Sequence, residues 1–310
     1  RWLDRLDRPE GGVATPGSPP RPCPPVGLRP RSLSVTEIET WMRDPYAIYA
    51  RRILRLRRLA DLEELADAAD YGQIVHAALE RWFRAHPSDW PAGGAERMQA
   101  VFAEVLREAG LRPALAAWWA PRLDRIAAWC ARTEEARRAT GTPRTVLTEL
   151  SGRMRLEDLP GGPFTLRGRA DRIDLHDGDG GLSLFDYKTG TLPLRRSVVE
   201  GWQSQLVLEA AMIECGGFPP PVAGSVSELV YWRLTGGHVP AQVLDVARGE
   251  ELAELIASCR AGLRALVSAY DNPDQPYLSH PFPGEEPRFA DYAHLARVAE
   301  WSAAREENGG

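Results

Sequence analysis

The hydrophobic pattern of this sequence changes its period at Pro143, and this change limits the possible folds more than any other feature. Before Pro143 apolar residues recur at the spacing of amphipathic helices, whereas after it three segments alternate between apolar and polar residues. These segments are Arg144–Leu156, Phe164–Leu175 and Leu182–Gly190. A helix over 201–217, a strand over 225–234 and a long helix over 249–270 are predicted to follow. This order predicts an α/β fold, in which a helical N-terminal half packs on a mixed sheet flanked by helices.

A stretch rich in proline and glycine, residues 11–31, is typical of an extended linker rather than a core element. We therefore divide the chain into the end of a preceding region with its linker, 1–31, and one folded domain, 32–310. The first residues include neither an initiator Met nor the apolar segment of a signal peptide. We expect the sequence to be part of a longer protein.

The composition argues against several classes of protein. No run approaches 18 consecutive apolar residues, so no membrane-spanning helix is expected. The four cysteines are widely separated, and no pair has the C-x-x-C spacing of a local metal site. A reducing cytoplasm is the expected location.

The net charge of −5 argues against a protein that binds nucleic acid through its whole surface. Two arginine-rich segments, residues 49–60 and 192–202, are candidates for a local basic groove. A solvated face would have the same composition, so both interpretations stay open for each segment.

Charged residues occupy the ends of two neighbouring strands in the segment Gly168–Gly190. If residues 177–180 form a four-residue loop, His176 pairs with Gly181, and Asp171 lies directly opposite Asp186. Residues that face each other across two strands have Cβ atoms about 5 Å apart. The sequence therefore predicts two carboxylates in close proximity on one face of a hairpin.

Two adjacent carboxylates repel each other, and a divalent cation such as Mg²⁺ relieves the conflict by binding carboxylate, water and phosphate oxygens. Lys188 shares a face with Asp186, because residues two apart in a strand point the same way. It can orient an attacking water or stabilise charge on a phosphate. The alternative is a polar hairpin with surface salt bridges, but the apolar strand around Phe185 makes buried charges costly. An EF-hand that starts at Asp177 is excluded, because its twelfth position holds a lysine.

An ordered set of motifs resembles the RecB-type branch of the PD-(D/E)XK nuclease superfamily. The motifs are "YGQIVHAALE", "TEL", "GRADRID", "FDYKTG" and "WQSQLVLEAA". They contribute, in this order, His76, Glu149, Asp171, the pair Asp186 and Lys188, and Gln205. Glu209 stands where the branch often has tyrosine, so the last motif is incomplete.

The resemblance implies a nuclease that depends on Mg²⁺ or Mn²⁺. It implies metal binding by His76, Asp171, Asp186 and the backbone carbonyl of Tyr187. Lys188 would assist the attacking water, and Gln205 would orient the DNA backbone or that water. Glu149 would be the acidic residue of the first core strand, although it could instead pair with Arg153 or Arg169.

A closer resemblance joins the segment "LSVTEIETWMRDPYAIYAR" and the tail "PRFADYAHLARVAEW" to the nuclease domains of AddB proteins, subunits of bacterial AddAB helicase–nucleases. It implies DNA (a single strand or a duplex end) and an AddA-type helicase–nuclease subunit as partners, in double-strand-break repair and recombination. Many relatives carry an iron–sulfur cluster, with a cysteine before the proline of the first helix. Here Asp44 precedes Pro45 and the C-terminal cysteine triplet is absent, so no cluster is predicted.

Two functions therefore stand at this stage. The first is a metal-dependent exonuclease that acts on single strands unwound by a partner helicase. The second is a catalytically silent module that guides DNA or docks a subunit. The negative net charge and the incomplete glutamine motif favour the second, whereas the intact pair of carboxylates with its lysine favours the first.

Overall fold

A computed structural model of the protein describes residues 18–57, 59, 68–140, 144–178, 181–287 and 290–307. The first part of the predicted linker, residues 11–17, lies outside this range. Within the described part of the chain, no helix is both long and apolar enough to cross a membrane.

The order of helices and strands follows the change of period at Pro143. The strands are β1 (Ser32–Ser34), β2 (Arg144–Leu156), β3 (Phe164–His176), β4 (Leu182–Lys188), β5 (Val226–Leu234) and β6 (Ala241–Arg248). The helices are α1 (Val35–Arg43), α2 (Pro45–Ile48), α3 (Ala68–Ala85), α4 (Gly94–Glu108), α5 (Pro113–Thr140), α6 (Arg195–Val199), α7 (Gln205–Glu214), α8 (Gly249–Ala269) and α9 (Val298–Glu307). The predicted fold class, a mixed sheet flanked by helices with a helical N-terminal half, is confirmed.

The strand predictions agree closely with the structure. β2 has the predicted bounds, β3 is one residue longer, and β4 ends two residues earlier, at Lys188. β1 and β6 were not predicted, because β1 is only three residues long and lies directly before a helix. β6 follows a loop rich in glycine and shows little alternation of burial.

The chain divides into two compact units. The sheet unit comprises residues 31–39 and 60–267, and the terminal unit comprises residues 1–30, 40–59 and 268–310. In the sheet unit, a reciprocal capping box precedes α1. The N–H of Ser34 donates to Oε2 of Glu37 at 2.9 Å, and the N–H of Glu37 donates to Oγ of Ser34 at 3.2 Å.

Among the described residues, six strands form one mixed sheet, with the order β1-β3-β4-β5-β6 and with β2 paired to β3. β2 runs antiparallel along the whole of one edge of β3. The other edge of β3 pairs first with β1, at residues 165–167, and then with β4, at residues 172–175. β4 continues parallel to β5 as far as Lys188, so it separates from β3 after Phe185. This separation opens a gap beside residues 168–171.

The register between β3 and β4 is the one that a four-residue loop predicts. Arg172 pairs with Phe185 and Leu175 with Leu182, and the N–H of His176 donates to the carbonyl of Gly181. Asp179 and Gly180 of the loop itself lie outside the described residues. The next pair in this register would be Asp171 and Asp186, at the point where the two strands separate.

One face of the sheet packs against the helical half. Phe185, Tyr187 and Trp232 belong to a buried cluster that also contains residues of α3, α4 and α5. Helix α7 packs on β2, β3, β4 and β5. The residues of α7 from Leu206 to Ile213 are all buried, which explains why this segment is apolar on every side apart from Glu209.

The terminal unit joins segments from both ends of the sequence. The Arg29 side chain is buried and donates to the carbonyls of Tyr270, Asn272 and Pro273. Asp44 is also buried, and one of its carboxylate oxygens lies 3.9 Å from Nε2 of His280. These polar contacts connect the N-terminal and C-terminal segments of this unit. The absence of an iron–sulfur cluster stays a prediction.

Candidate functional site

The candidate site lies where β3 and β4 separate, and it belongs entirely to the sheet unit. Beyond the pair of Arg172 and Phe185, the backbones of β3 and β4 form no further ladder pair, and a side chain connects the two strands instead. The N–H of Tyr187 donates to Oδ2 of Asp171 at 2.8 Å, which replaces the missing ladder hydrogen bond. Asp171 therefore holds the end of β4 while its other oxygen remains available to the site.

Helix α3 brings His76 to the same place. Its Nε2 lies 3.0 Å from the carbonyl oxygen of Tyr187, and its Nδ1 lies 3.5 Å from Oδ1 of Asp171. Gly72, one turn earlier, allows this approach, because a Cβ there would lie 3.2 Å from Oγ1 of Thr189. Gly72 thus allows close packing of α3 on the strand end, and His76 lies beside the carboxylate of Asp171.

Glu149 lies on β2 at a break in the ladder. β2 pairs Thr148 with Arg172 and Leu150 with Ala170, but no pair is formed at Glu149, whose φ of 55° is left-handed. A residue with a side chain pays about 1–3 kcal/mol for such a conformation, and strained residues of this kind concentrate at functional sites.

Two alternatives were predicted for Glu149, namely an acidic residue of the site and a structural partner of an arginine, and its contacts include both. Its Oε1 lies 3.8 Å from Nδ1 of His76. Its Oε2 forms an ion pair with Arg169, whose Nε lies 2.7 Å away. Arg153, the other predicted partner, lies further along β2, opposite Arg167. Glu149 is thus both paired to an arginine and adjacent to the histidine.

Among the described residues, His76, Glu149 and Asp171 form the group whose ligand atoms could hold a metal ion. One atom from each lies within 4.8 Å of the others. Two carboxylates and an imidazole suit a divalent cation such as Mn²⁺, and carboxylates with water also suit Mg²⁺. The carbonyl oxygen of Tyr187, which now faces Nε2 of His76, adds a further oxygen at the same place.

Asp186 and Lys188 form a partly buried ion pair next to this group. Nζ of Lys188 lies 2.9 Å from Oδ1 and 2.8 Å from Oδ2 of Asp186, so both oxygens face the ammonium group. In this arrangement Asp186 lies beside the three-residue group without joining it. Its prediction as a metal ligand is neither supported nor excluded by these contacts.

The charges of these groups affect each other strongly. Burial raises the pKa of Asp186 to about 6, and the neighbouring charge of Asp171 adds to the increase while Lys188 opposes it. Burial alone would lower the pKa of Lys188, but the charge of Asp186 outweighs it and raises this pKa above its ordinary value. Lys188 is therefore a cation at neutral pH, suited to stabilising negative charge rather than to accepting a proton.

His76 is also held in its charged form. Burial lowers its pKa, but hydrogen bonds to Asp171 and Glu149 outweigh this effect and raise the pKa to about 10. This raised pKa favours a protonated His76 beside the two carboxylates, where a positive charge relieves their repulsion. This arrangement fits the residues of a metal centre, because the same like-charge conflict is relieved by a protonated imidazole or by a metal ion.

Gln205 begins helix α7 and contacts the lysine. Nζ of Lys188 donates to Oε1 of Gln205 at 3.2 Å, and the N–H of Gln205 donates to Oε1 of Glu39 at 2.8 Å. The predicted residues His76, Glu149, Asp171, Asp186, Tyr187, Lys188 and Gln205 are thus brought together by five elements of the sheet unit. Their roles in metal binding and catalysis stay predictions.

Two acidic residues of this region were not assigned a role from the sequence. Glu39 caps the N-terminal end of α7, and Glu209 is 1% exposed one turn along that helix. Glu209 offers a signal that sequence reading could have used, because it is a single acidic residue within the apolar run "LVLEAAMI". Glu39 offers no comparable signal, since it lies on an ordinary amphipathic helix.

Two charged residues next to the predicted site belong to a buried ion cluster instead. Arg172 and Asp174 are fully buried on the opposite face of β3, where they pair with each other and with Glu134 and Arg144. Asp171, on the other face of β3, is therefore the aspartate of the segment "DRID" that faces the site. The burial of Arg172 in this cluster keeps its guanidinium group away from any bound phosphate.

The mixed sheet with a carboxylate-rich group at the separation of two central strands defines an α/β protein with a candidate metal centre. Residues 32–281 match the family model of the PD-(D/E)XK nuclease superfamily. This match covers more than half of the chain, and the chain therefore belongs to the PD-(D/E)XK nuclease superfamily.

Relatives among curated proteins carry no functional description. An uncharacterized protein of Rickettsia bellii is 28% identical over 189 residues, which is 61% of this chain and 22% of that protein. An uncharacterized protein of Rickettsia typhi is 28% identical over 225 residues, which is 71% of this chain and 25% of that protein. The matched part thus spans about a quarter of the length of these relatives, and the resemblance to AddB proteins stays a prediction.

A solved structure from Eubacterium rectale, described as a "Putative exonuclease", covers 87% of this chain and 94% of its own, with a TM-score of 0.41 and 9% identity. This likeness is too low to support a functional statement. The assignment to the superfamily rests on the family model and agrees with the arrangement of the site.

Proposed function

We propose that this protein is a metal-dependent deoxyribonuclease that hydrolyses phosphodiester bonds, with single-stranded DNA as its substrate. The observation that carries the proposal is the juxtaposition of His76, Glu149 and Asp171 with the buried pair of Asp186 and Lys188. A structural ion pair would need one carboxylate, whereas these five acidic and basic residues converge at the cost of a strained backbone at Glu149.

His76, Asp171, Asp186 and the Tyr187 carbonyl are the proposed metal ligands, with Glu149 as the neighbouring acid. A bound Mg²⁺ or Mn²⁺ would supply Lewis-acid activation of a water and neutralise phosphate charge. Lys188 holds a positive charge where negative charge develops on the scissile phosphate, and it donates hydrogen bonds to the attacking water. Gln205 fixes the ammonium group of Lys188 through its side-chain oxygen.

Degradation of an end-labelled single-stranded oligonucleotide by the 310-residue chain tests this proposal. We expect cleavage with Mg²⁺ or Mn²⁺, no cleavage with EDTA, and a loss of at least about 100-fold in rate for Asp186→Asn. Asp245→Asn is a matched control, because Asp245 is exposed on β6 and pairs with Arg248. Equal rates for wild type and Asp186→Asn would overturn the proposal.

Calorimetry separates this function from the silent module. A nuclease of this design binds Mn²⁺ at millimolar concentrations or below, and the binding weakens in Asp171→Asn. A chain that binds neither Mn²⁺ nor Mg²⁺ in this range and cleaves no DNA would favour a module that guides DNA or docks a subunit.

We further propose that the domain is the nuclease of an AddB-type subunit that works with an AddA-type helicase in double-strand-break repair. Two features support this finer assignment: the segments of α1 and the C-terminal tail resemble AddB proteins, and the Rickettsia relatives are about four times longer than the matched part. The test is co-purification of the full-length protein with an AddA-type subunit and ATP-dependent degradation of duplex ends. Failure of both would contradict the assignment without affecting the nuclease activity of the domain.

A further inference from the structure

Glu209 is a buried acid whose position the proposed reaction does not yet explain. It lies on α7, one turn after Gln205, and 1% of its surface is exposed. The strand beneath it leaves room for it, because a Cβ at Gly168 would lie 3.3 Å from Cγ of Glu209. The same Cβ would lie 3.1 Å from Sδ of Met212, so Gly168 accommodates two side chains of this helix.

A chain of polar contacts connects Glu209 to the lysine of the site. Nε2 of Gln205 donates to Oε1 of Glu209 at 3.4 Å, and Nζ of Lys188 donates to Oε1 of Gln205 at 3.2 Å. An ammonium group can only donate, so the oxygen of the Gln205 amide must face Lys188. The amide nitrogen must then face Glu209, and Glu209 supplies the acceptor that this orientation requires.

The surroundings of Glu209 suit an acceptor that carries no charge. Burial raises the pKa of Glu209 well above its ordinary value, and the charges of Asp186 and Asp171 raise it further. Hydrogen bonding from Gln205 and the charge of Lys188 oppose this shift. A neutral carboxylic acid keeps a carbonyl oxygen as acceptor and adds no third negative charge to the two aspartates.

We propose that Glu209 is a positioning residue, which fixes the orientation of the Gln205 amide and thereby holds the Lys188 ammonium group in place beside Asp186. This inference rests on the proposed nuclease function. Glu209 does not contact the reacting atoms, because Gln205 lies between it and Lys188. A glutamine at this position retains a carbonyl acceptor of the same size, whereas a leucine retains only the volume.

Steady-state cleavage of single-stranded DNA by the 310-residue chain and its variants measures the effect on the reaction. Loss of one hydrogen bond corresponds to about tenfold in rate, so we expect kcat to fall about tenfold in Glu209→Leu with little change in KM. Glu209→Gln is expected to retain kcat within about threefold, because it keeps the acceptor. Met212→Ala, one turn further along α7, is the control for altered packing: it should lower thermal stability but leave kcat unchanged.

A double-mutant cycle shows whether Glu209 acts through Gln205. We expect the combined Gln205→Leu and Glu209→Leu variant to be no slower than Gln205→Leu alone, because the second change removes a support that is no longer used. Independent, multiplying losses of rate would overturn the inference. Loss of Mn²⁺ binding in Glu209→Gln would also overturn it, since it would make Glu209 a metal ligand.

The side-chain amide signal of Gln205 in the ¹⁵N spectrum of the metal-free chain tests the contact without any activity. The signal is assigned by its absence in Gln205→Leu. We expect it to keep its position in Glu209→Gln and to move in Glu209→Leu, and an unmoved signal in Glu209→Leu overturns the inference. Absence of DNA cleavage by the unmodified chain would instead overturn the proposed function, so the two failures are distinct.

Discussion

The backbone N–H of Tyr187 and the carboxylate of Asp171 are joined by a hydrogen bond of 2.8 Å, across two strands that no longer pair. The Asp171 carboxylate thus accepts the hydrogen bond that a backbone carbonyl of β3 would accept in a continued ladder. The same carboxylate faces His76 with its other oxygen, at 3.5 Å. One residue therefore stabilises the separation of the strands and lines the gap that the separation opens.

Replacement of Lys188 is expected to slow the reaction without removing the metal. In Lys188→Met, the rate of DNA cleavage should fall by about 10²–10⁴-fold, because the cation that stabilises developing charge is lost. Mn²⁺ should still bind, since its proposed ligands remain. Loss of the lysine also removes the group that lowers the pKa of Asp186, so that pKa should rise above its value of about 6.

Titration of Mn²⁺ binding by calorimetry, together with single-turnover rates, checks this prediction. Arg167→Met on β3 is the matched control, because this arginine is exposed and its backbone is paired with Ser34 of β1 rather than facing the gap. A variant at Lys188 with normal cleavage rates would show that the ammonium group has no part in the chemistry.

Metal affinity is expected to increase with pH. The proposed metal binding needs Asp186 ionised and His76 without its extra proton, and their pKa values in the metal-free chain are about 6 and about 10. Between these values, each binding event should release a proton from His76. Below pH 6 the proton on Asp186 competes as well, so the affinity should fall more steeply.

Calorimetric titrations with Mn²⁺ in two buffers of different ionisation enthalpy measure the number of protons released. His76→Gln should bind the metal more weakly and should release fewer protons near pH 8. An affinity that does not vary between pH 5.5 and 8.5 would mean that neither group binds the metal.

Gly72 is expected to matter for its lack of a side chain. A Cβ at this position lies 3.2 Å from Oγ1 of Thr189, which directly follows Lys188. In Gly72→Ala, the gain in helix propensity should be offset by this close contact, and displacement of the strand end should lower the cleavage rate several-fold.

Gly262→Ala is the matched comparison, since Gly262 lies inside helix α8 with nothing within 4 Å of a Cβ. This variant should be more stable by about 0.5–1 kcal/mol and should keep its activity. Urea unfolding and cleavage rates measure both effects. Equal stabilisation of the two variants, with unchanged activity, would show that α3 accommodates a Cβ at position 72 and would contradict the prediction.

The buried ion cluster behind the site is expected to be essential for stability. Arg172 is fully buried, pairs with Glu134 at 2.7 Å and with Asp174 at 2.6 Å, and stacks on the rings of Phe83 and Phe185. Glu134 and Asp174 both contact Arg172 and Arg144, so Arg172→Met leaves two buried carboxylates to share Arg144, and this loss of a buried partner costs about 3–5 kcal/mol.

Urea unfolding of Arg172→Met measures this loss. The exposed Arg167→Met variant on the same strand should change stability by less than about 0.5 kcal/mol. A loss of similar size in both variants would mean that burial of Arg172 in the ion cluster adds nothing to the free energy of unfolding.

The register of the hairpin could be predicted because it depends on local facts. The alternation of Leu182–Lys188 fixes which side chains share a face, and a loop of four residues fixes which residues are opposed. Asp171 and Asp186 follow from these two facts alone. The helix that carries His76 was predicted from its motif and its apolar spacing. The distance of His76 from the strands could not be predicted in this way, because it depends on how α3 packs on the sheet.

The roles of Arg172 and Glu209 could not be obtained in this way. Both are charged residues in apolar segments, and a sequence pattern does not say which charges lie opposite them. Arg172 meets Glu134, which is 38 positions earlier in the chain, and Glu209 meets a glycine on a neighbouring strand. Only the packing of α5 and α7 on the two faces of the sheet decides these contacts.

The sequence by itself determined the fold class, the bounds of β2, β3 and β4 to within two residues, and seven of the residues that converge on the site, because periodicity, turn length and motif order are local properties of the chain. The tertiary structure decided which charged side chains pair with each other and which of them are buried. It paired Asp186 with Lys188, placed Glu149 in a left-handed conformation beside His76, and buried Arg172 on the opposite face. Electrostatic interactions depend on distance and burial, and both are set only when separate segments are packed together.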